Sequence, residues 1–233
     1  MNLQNLSAKT LASYIDHTLL KPETTKQQIR KLCEEALEYH FFAVCVNSGM
    51  VSAAREVLKT SKVHIASVIG FPHGTNDSAT KAFETNRAVN LGASEIDMVI
   101  NIGALKAGEF NFVERDIFDV VRAAEGKIVK VILETFLLTD EEKKKACEIS
   151  VKAGAHFVKT CTGFNGGQAT VADIELMKSA VQNVSAGTSI KIKASGGIRD
   201  FESAKNLIVA GASRLGTSSG VSLVKGLQIK GGY

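Results

Sequence analysis

Two lysines stand inside runs that read as β-structure, Lys159 in HFVKTCT (156–162) and Lys193 in SIKIKAS (189–195). An ammonium group buried among apolar neighbours is costly unless it is paired or used. Two neighbouring ammonium groups also disfavour each other's charge. With partial desolvation added, one of the pair is expected to lose its proton well below the free-lysine value of about 10.4. A neutral lysine amine is the nucleophile of Schiff-base catalysis. Asp97, in SEIDMVIN (94–101), would lie two strands away and could move protons directly or through a water. The same lysine pair could instead only hold an anion, so the residues by themselves leave both readings open.

Glycine-rich turns supply a second feature. ASGGIR (194–199) and LGTSSG (215–220) each follow a β-like run, and Thr162 with Gly163 could complete a wall beside them. Backbone N–H groups in such turns, backed by a helix start, suit a phosphate, although any tight strand-to-helix turn also favours glycine. Cys33, Cys45, Cys147 and Cys161 show neither CxxC nor His-paired spacing. No zinc site, other metal site or disulfide framework is expected, and a reducing compartment is the default.

The elements that must position these residues form a rhythm. β-like runs occur at 13–18, 41–47, 62–71, 94–101, 128–135, 156–162, 189–195 and 213–219, separated by segments of helical period such as 27–39, 78–91, 112–124 and 141–153. Thr24 with Gln27 and Thr139 with Glu142 fit the capping box that opens a helix. NLGAS, KAGAH and VAGAS place Gly92, Gly154 and Gly211 at helix ends just before strands. Eight strands alternating with helices imply a parallel sheet. The count, and the lack of GxGxxG after the first strand, favour a closed (β/α)8 barrel over an open doubly wound sheet. The expectation is one α/β barrel domain over residues 1–233, with a short mobile tail from about residue 228.

Strands covered on both faces should be apolar throughout, and these are polar on one parity. Ile96, Met98 and Ile100 alternate with Glu95, Asp97 and Asn101, and Ile190, Ile192 and Ala194 alternate with Lys191, Lys193 and Ser195. The polar set is expected inside the barrel: Asp97, Lys130, Glu134, Lys159 and Lys193, joined by Asp16, Thr18, Cys45 and Asn47. Lys130 is expected to pair with Glu134, and Lys191 to join an ion-paired plug lower down.

The 28 basic and 24 acidic residues give a net charge of +4, with no Lys/Arg run resembling a nucleic-acid arm, which suits a small anionic metabolite. EEKKKA (141–146) reads as an exposed helix face. No run of about 18 apolar residues suggests a membrane span, and no leader is evident at the N-terminus. A cytoplasmic protein with neither nucleic-acid nor membrane partners is expected.

DHTLLKPETT (16–25), AVCVN (43–47), EIDMVINIG (95–103), FVKTCTGF (157–164) and IKASGGIR (192–199), five motifs in order along essentially the whole chain, together resemble the deoxyribose-phosphate aldolase family. The resemblance implies a (β/α)8 barrel that reversibly cleaves 2-deoxy-D-ribose 5-phosphate to glyceraldehyde 3-phosphate and acetaldehyde, without metal or cofactor. It implies Lys159 as the Schiff-base lysine, Lys193 as the lysine that lowers its pKa, and Asp97 as the proton relay. It places Gly163, Gly196, Gly197, Gly216, Ser218 and Ser219 around the phosphate. Phe164 stands where some members have a lysine, so less phosphate charge would be met by side chains. Cys45 matches a position linked to inactivation by aldehydes, and a buried core thiol is the equal alternative. Tyr233 matches a C-terminal tyrosine that assists proton transfer in some members, and a frayed end is the equal alternative. Two rivals stay open: a Schiff-base aldolase for a keto acid or ketose phosphate, with Arg199 as its one obvious extra cation, and a non-catalytic barrel that binds a sugar phosphate. The sequence does not give the oligomeric state, although barrels of this size often form homodimers.

Overall fold

A computed structural model describes residues 7–184 and 190–226. Eight parallel strands pair in sequence order and close on themselves, with β1 (Ile15–Leu19) bonded to both β2 (Ala43–Asn47) and β8 (Arg214–Thr217). Between these lie β3 (His64–Ile69), β4 (Glu95–Val99), β5 (Ile128–Ile132), β6 (Phe157–Lys159) and β7 (Lys191–Ser195). The helices are α1 (Ala8–Ala12), α2 (Lys26–Glu38), α3 (Val51–Leu58), α4 (Ser78–Leu91), α5 (Ile102–Lys106), α6 (Phe110–Ala123), α7 (Asp140–Lys152), α8 (Val171–Val184), α9 (Phe201–Ala210) and α10 (Gly220–Val224). This is the (β/α)8 barrel expected from the strand count, and every expected strand overlaps an observed one. The C-terminal tail expected from about residue 228 lies outside the described residues.

Two-residue alternation builds the layers. Val44, Ile96, Met98, Val129, Val131, Val158, Ile192 and Leu215 face outward and are buried against Ile29, Ile117, Val120, Ile174, Met177 and Leu207 of the helices. The opposite parity fills the lumen, half of it with charge and half with a small apolar cluster of Leu20, Cys45, Ala66 and Val68 packed under Phe71.

The helix ends follow local chemistry. Thr139 and Glu142 form the expected capping box at α7. At α2 the box is Thr25 with Gln28, one residue later than expected, and Thr24 is buried instead. Two threonines and two glutamines in succession satisfy the spacing twice, and burial decides between them. Gly92, Gly154 and Gly211 all have positive φ, as helix-ending glycines should.

Among the described residues, one ion pair outside the lumen is fully buried. Lys81 of α4 donates to Asp116 of α6 at 2.6 Å and to the carbonyl of Val99, at the end of β4, at 3.1 Å. Its stem runs against Gly70, where an added Cβ would come within 3.0 Å of Lys81 Cε. The pair fixes two helices to the strand that carries Asp97. Lys81→Met would strand a buried carboxylate and is expected to lower unfolding free energy by about 3–5 kcal/mol in urea denaturation, with most of it recovered in Lys81→Met/Asp116→Leu. An unchanged midpoint in Lys81→Met would contradict that role.

Candidate active site

Strand register brings the charges together. Asp97 is the direct partner of Lys130, Lys159 of Lys193, and Lys193 of Arg214. Asp97 receives Lys130 Nζ on Oδ1 at 2.6 Å, and Lys159 and Lys193 Nζ on Oδ2, each at 2.8 Å. Lys193 also donates to Asp16 in a very short contact. Arg214 bridges Asp16 and Glu95, and Lys130 bonds Glu95 at 2.6 Å. All seven of these side chains are buried.

Burial pushes the Asp97 carboxyl up, but Lys130, Lys159 and Lys193 outweigh it and hold Asp97 well below the usual range. Asp16 is likewise raised by burial and then held low by Arg214 and Lys193. Glu95, raised by burial, is held low by Lys130 and Arg214. Burial pushes the Lys193 ammonium down, yet Asp16 and Asp97 outweigh it, so Lys193 stays above the ordinary lysine value and remains charged.

A cavity of about 260 Å³ opens at the carboxyl ends of the strands, where barrel enzymes hold their active sites. Lys159 lines it, while Asp97 and Lys193 lie beneath. Thr18, Thr162, Gly163, Gly196, Gly197, Gly216, Ser218 and Ser219 line it too. Gly216 is bare for a reason: an added Cβ would sit 2.9 Å from Ser195 Cβ and 3.1 Å from Lys193 Cε, in the path of the lysine stem. Gly196, at φ +96°, approaches the carbonyl of Gly167 too closely for any Cβ. The start of α9 is already occupied by Asp200, which accepts from Ser203 N at 2.8 Å. This side of the cavity is therefore lined by the turns after β7 and β8, with the start of α9 capped by its own aspartate.

Some expected placements change. Lys130 does not pair with Glu134. Four residues along one strand span about 13 Å, so the two share a parity but not a layer. Glu134 sits at the end of β5 with φ +57° and accepts instead from Thr162 Oγ1 at 2.5 Å and Asn165 Nδ2 at 3.0 Å, shaping the loop after β6. Lys191 belongs to no plug: it is exposed, its Nζ 6.0 Å from the centre of the Phe157 ring. Asn47 turns to the carbonyl of Leu20. Cys45 is fully buried in the apolar half of the lumen, its thiol pushed up by burial and by the charge of Asp97. Such a thiol is a poor nucleophile, which favours the packing reading. Tyr233 lies outside the described residues.

Sequence reasoning gave Glu95 no partner and passed over Arg214 and Lys21. Arg214 shares the inward parity of Gly216, which was the available signal. Lys21 lies two residues past β1 and lines the cavity with Arg199, bringing cations to a wall where Phe164 carries none. Phe164 meets Phe71 edge to face at 5.1 Å. Among the described residues, no group of three or more His, Cys, Asp and Glu is placed to hold a metal ion, and no helix is long and apolar enough to cross a membrane.

A family model described as DeoC/LacD family aldolase matches residues 10–226. The chain belongs to this aldolase family. It is 56% identical over 223 residues to the deoxyribose-phosphate aldolase of Bdellovibrio bacteriovorus, covering 96% of this chain and 99% of that one. It is 58% identical over 220 residues to deoxyribose-phosphate aldolase 1 of Bacillus licheniformis, covering 94% and 96%. Among solved structures it superposes on a deoxyribose phosphate aldolase of Aeropyrum pernix, described as tetrameric, with TM-score 0.87 and 32% identity over 96% of this chain and 95% of that one. The resemblance read from five motifs is borne out. The protein is an aldolase, hence a lyase, which removes the non-catalytic barrel from consideration.

The charges beneath this aldolase cavity carry a pH signature. Asp16, Glu95 and Asp97 are held below their ordinary values, so their stabilisation is complete above the unfolded carboxylate range and is lost as pH falls through their folded values. Lys193 is held above its ordinary value, so its contribution is complete below the unfolded value and is lost only as pH rises beyond it. The urea midpoint is expected to be level from about pH 5 to about pH 9 and to fall below about pH 4. A midpoint that rises as pH drops towards 3 would contradict this.

Proposed function

We propose that this aldolase reversibly cleaves 2-deoxy-D-ribose 5-phosphate to D-glyceraldehyde 3-phosphate and acetaldehyde through an imine on Lys159, without a metal ion. The observation that carries the reading is that, among the described residues, Lys159 alone of the buried lysines lines the cavity, with acidic and basic partners directly beneath it. The names of the relatives support the substrate. Four free cysteines, all buried, fit the reducing cytoplasm in which we place the enzyme.

In this mechanism the Lys159 amine adds to the open-chain aldehyde at C1, and the carbinolamine loses water to give an iminium. The bond that breaks is C2–C3, because only electrons released onto C2 reach the iminium. The C3 hydroxyl gives up its proton, C3 becomes the aldehyde of glyceraldehyde 3-phosphate, and the C2–C3 pair forms the enamine. Protonation at C2 and addition of water to C1 release acetaldehyde and the free amine. Asp97, which already receives Lys159 and Lys193, relays protons between them and a water at the C3 hydroxyl. A carboxylate held so low is a weak base alone, so the proton passes along these hydrogen bonds rather than resting on Asp97.

Gly163, Gly196, Gly197, Gly216, Ser218 and Ser219 hold the phosphate, with Lys21 and Arg199 supplying charge from the rim. Leu20 brings the apolar half of the lumen to the cavity wall, beside the two-carbon fragment. The other Schiff-base reading, a keto acid or ketose phosphate, needs a cation for a second anionic end near Lys159. Among the described residues, the cations that line the cavity besides Lys159 are Lys21 and Arg199, both assigned to the phosphate.

Purified enzyme is expected to release acetaldehyde from 2-deoxy-D-ribose 5-phosphate, and Lys159→Ala to lower kcat by about a thousandfold or more. Cleavage of a ketose phosphate in preference, or an active Lys159→Ala variant, would overturn the assignment.

A further inference from the structure

The lumen charges form a closed circuit. Asp97 pairs with Lys130, Lys130 with Glu95, Glu95 with Arg214, Arg214 with Asp16, Asp16 with Lys193, and Lys193 with Asp97 again. Signs alternate around the ring, three acids against three bases, so it is neutral when every member is ionised. Lys159 is attached to it through Asp97 alone. A proton on Lys159 therefore gives the buried cluster a net positive charge, whereas the free amine leaves it balanced.

We propose that Glu95 and Arg214, at the bottom of the barrel and away from the cavity, are positioning residues that close this neutral ring and thereby make Lys159 the one lumen amine that reacts without its proton. The inference rests on the Schiff-base reading above. It assigns the choice between Lys159 and Lys193 to charge balance over the whole ring, not to the repulsion between two lysines alone. Lys193 faces two acids, whereas Lys159 shares one carboxylate oxygen with Lys193.

The other groups around Lys159 are the same in every variant, including Lys21 and Arg199, which stand outside the ring on the cavity wall. Ile132 is its strand neighbour on β5. Cys45 of β2 has its thiol raised by burial and by Asp97. Asp16 of β1 is already within the ring, and Glu134 at the end of β5 is engaged by Thr162 and Asn165. Arg214 also stacks its guanidinium 3.7 Å from the centre of the Phe42 ring, a further contact that holds it in place.

The test is the pH dependence of ethyl-adduct formation with acetaldehyde and cyanoborohydride, located by peptide mass spectrometry in folded protein. Arg214→Gln leaves the ring with an extra negative charge, and the midpoint for labelling Lys159 is expected to move up by about one pH unit, a tenfold change in proton concentration. Glu95→Gln, isosteric and opposite in sign, should move it down by a similar amount. Glu95→Gln/Arg214→Gln should return it to the wild-type value, and Arg214→Lys should leave it in place. A structural role alone would not give opposite shifts that cancel. Should Arg214→Gln fail to fold, Glu95→Gln and Arg214→Lys still carry the sign and the charge control. An adduct with the same midpoint in the charge-changing variants and in wild type overturns the inference and leaves the Schiff base intact. No adduct even in the wild-type protein overturns the Schiff-base reading, and this inference with it.

Discussion

A charge taken out of water needs a partner, because the penalty for leaving it unpaired is several kcal/mol. Among the described residues, the barrel encloses such charges on Asp16, Glu95, Asp97, Lys130, Lys159, Lys193 and Arg214. Much else follows from that constraint. The parity of β4, β5 and β7 sends polar side chains inward, and the register sets Asp97 beside Lys130 and Lys193 beside Arg214. Gly216 gives up its side chain so that the Lys193 stem can pass. The cluster needs nearly every lone pair and proton it has for itself. Lys159 stands apart because it completes no circuit and faces open space.

The cavity divides its work by surface. The turns after β6, β7 and β8 line one side with glycines and hydroxyl side chains, and Lys21 and Arg199 line the cavity with them. The apolar half of the lumen, under Phe71, lies by Leu20 and Cys45. Lys159, the glycine turns and the apolar wall thus meet at one mouth. The loops owe their shape to groups that never touch the cavity's contents. Glu134 holds Thr162 and Asn165, and the Lys81–Asp116 pair anchors the end of β4 from outside.

The fold and the charged floor of the cavity were legible because both rest on periodicity. A two-residue alternation of polar and apolar side chains survives in the sequence, and it placed Asp97, Lys159 and Lys193 together correctly. Parity does not report depth, which is why Lys130 was paired with Glu134 across a gap of a full layer, and why Lys191 was put inside the lumen when it lies at the exposed end. Arg214 was missed because a four-residue strand, RLGT, shows too little alternation to mark its faces. Lys21 was missed because a loop cation after a strand has no periodic signature; only closure of the barrel brings the end of β1 beside the turns after β7 and β8. The doubled threonines at 24 and 25 left the cap of α2 undecided until burial removed Thr24 from solvent.

The most direct test of this account is to treat the native enzyme with acetaldehyde, reduce with borohydride and map the modified peptide. The account predicts a single ethyl group on Lys159, with Lys193 and Lys130 unmodified. An ethyl group on Lys193 would contradict it, since the lysine held between two acids would then be the one free to react.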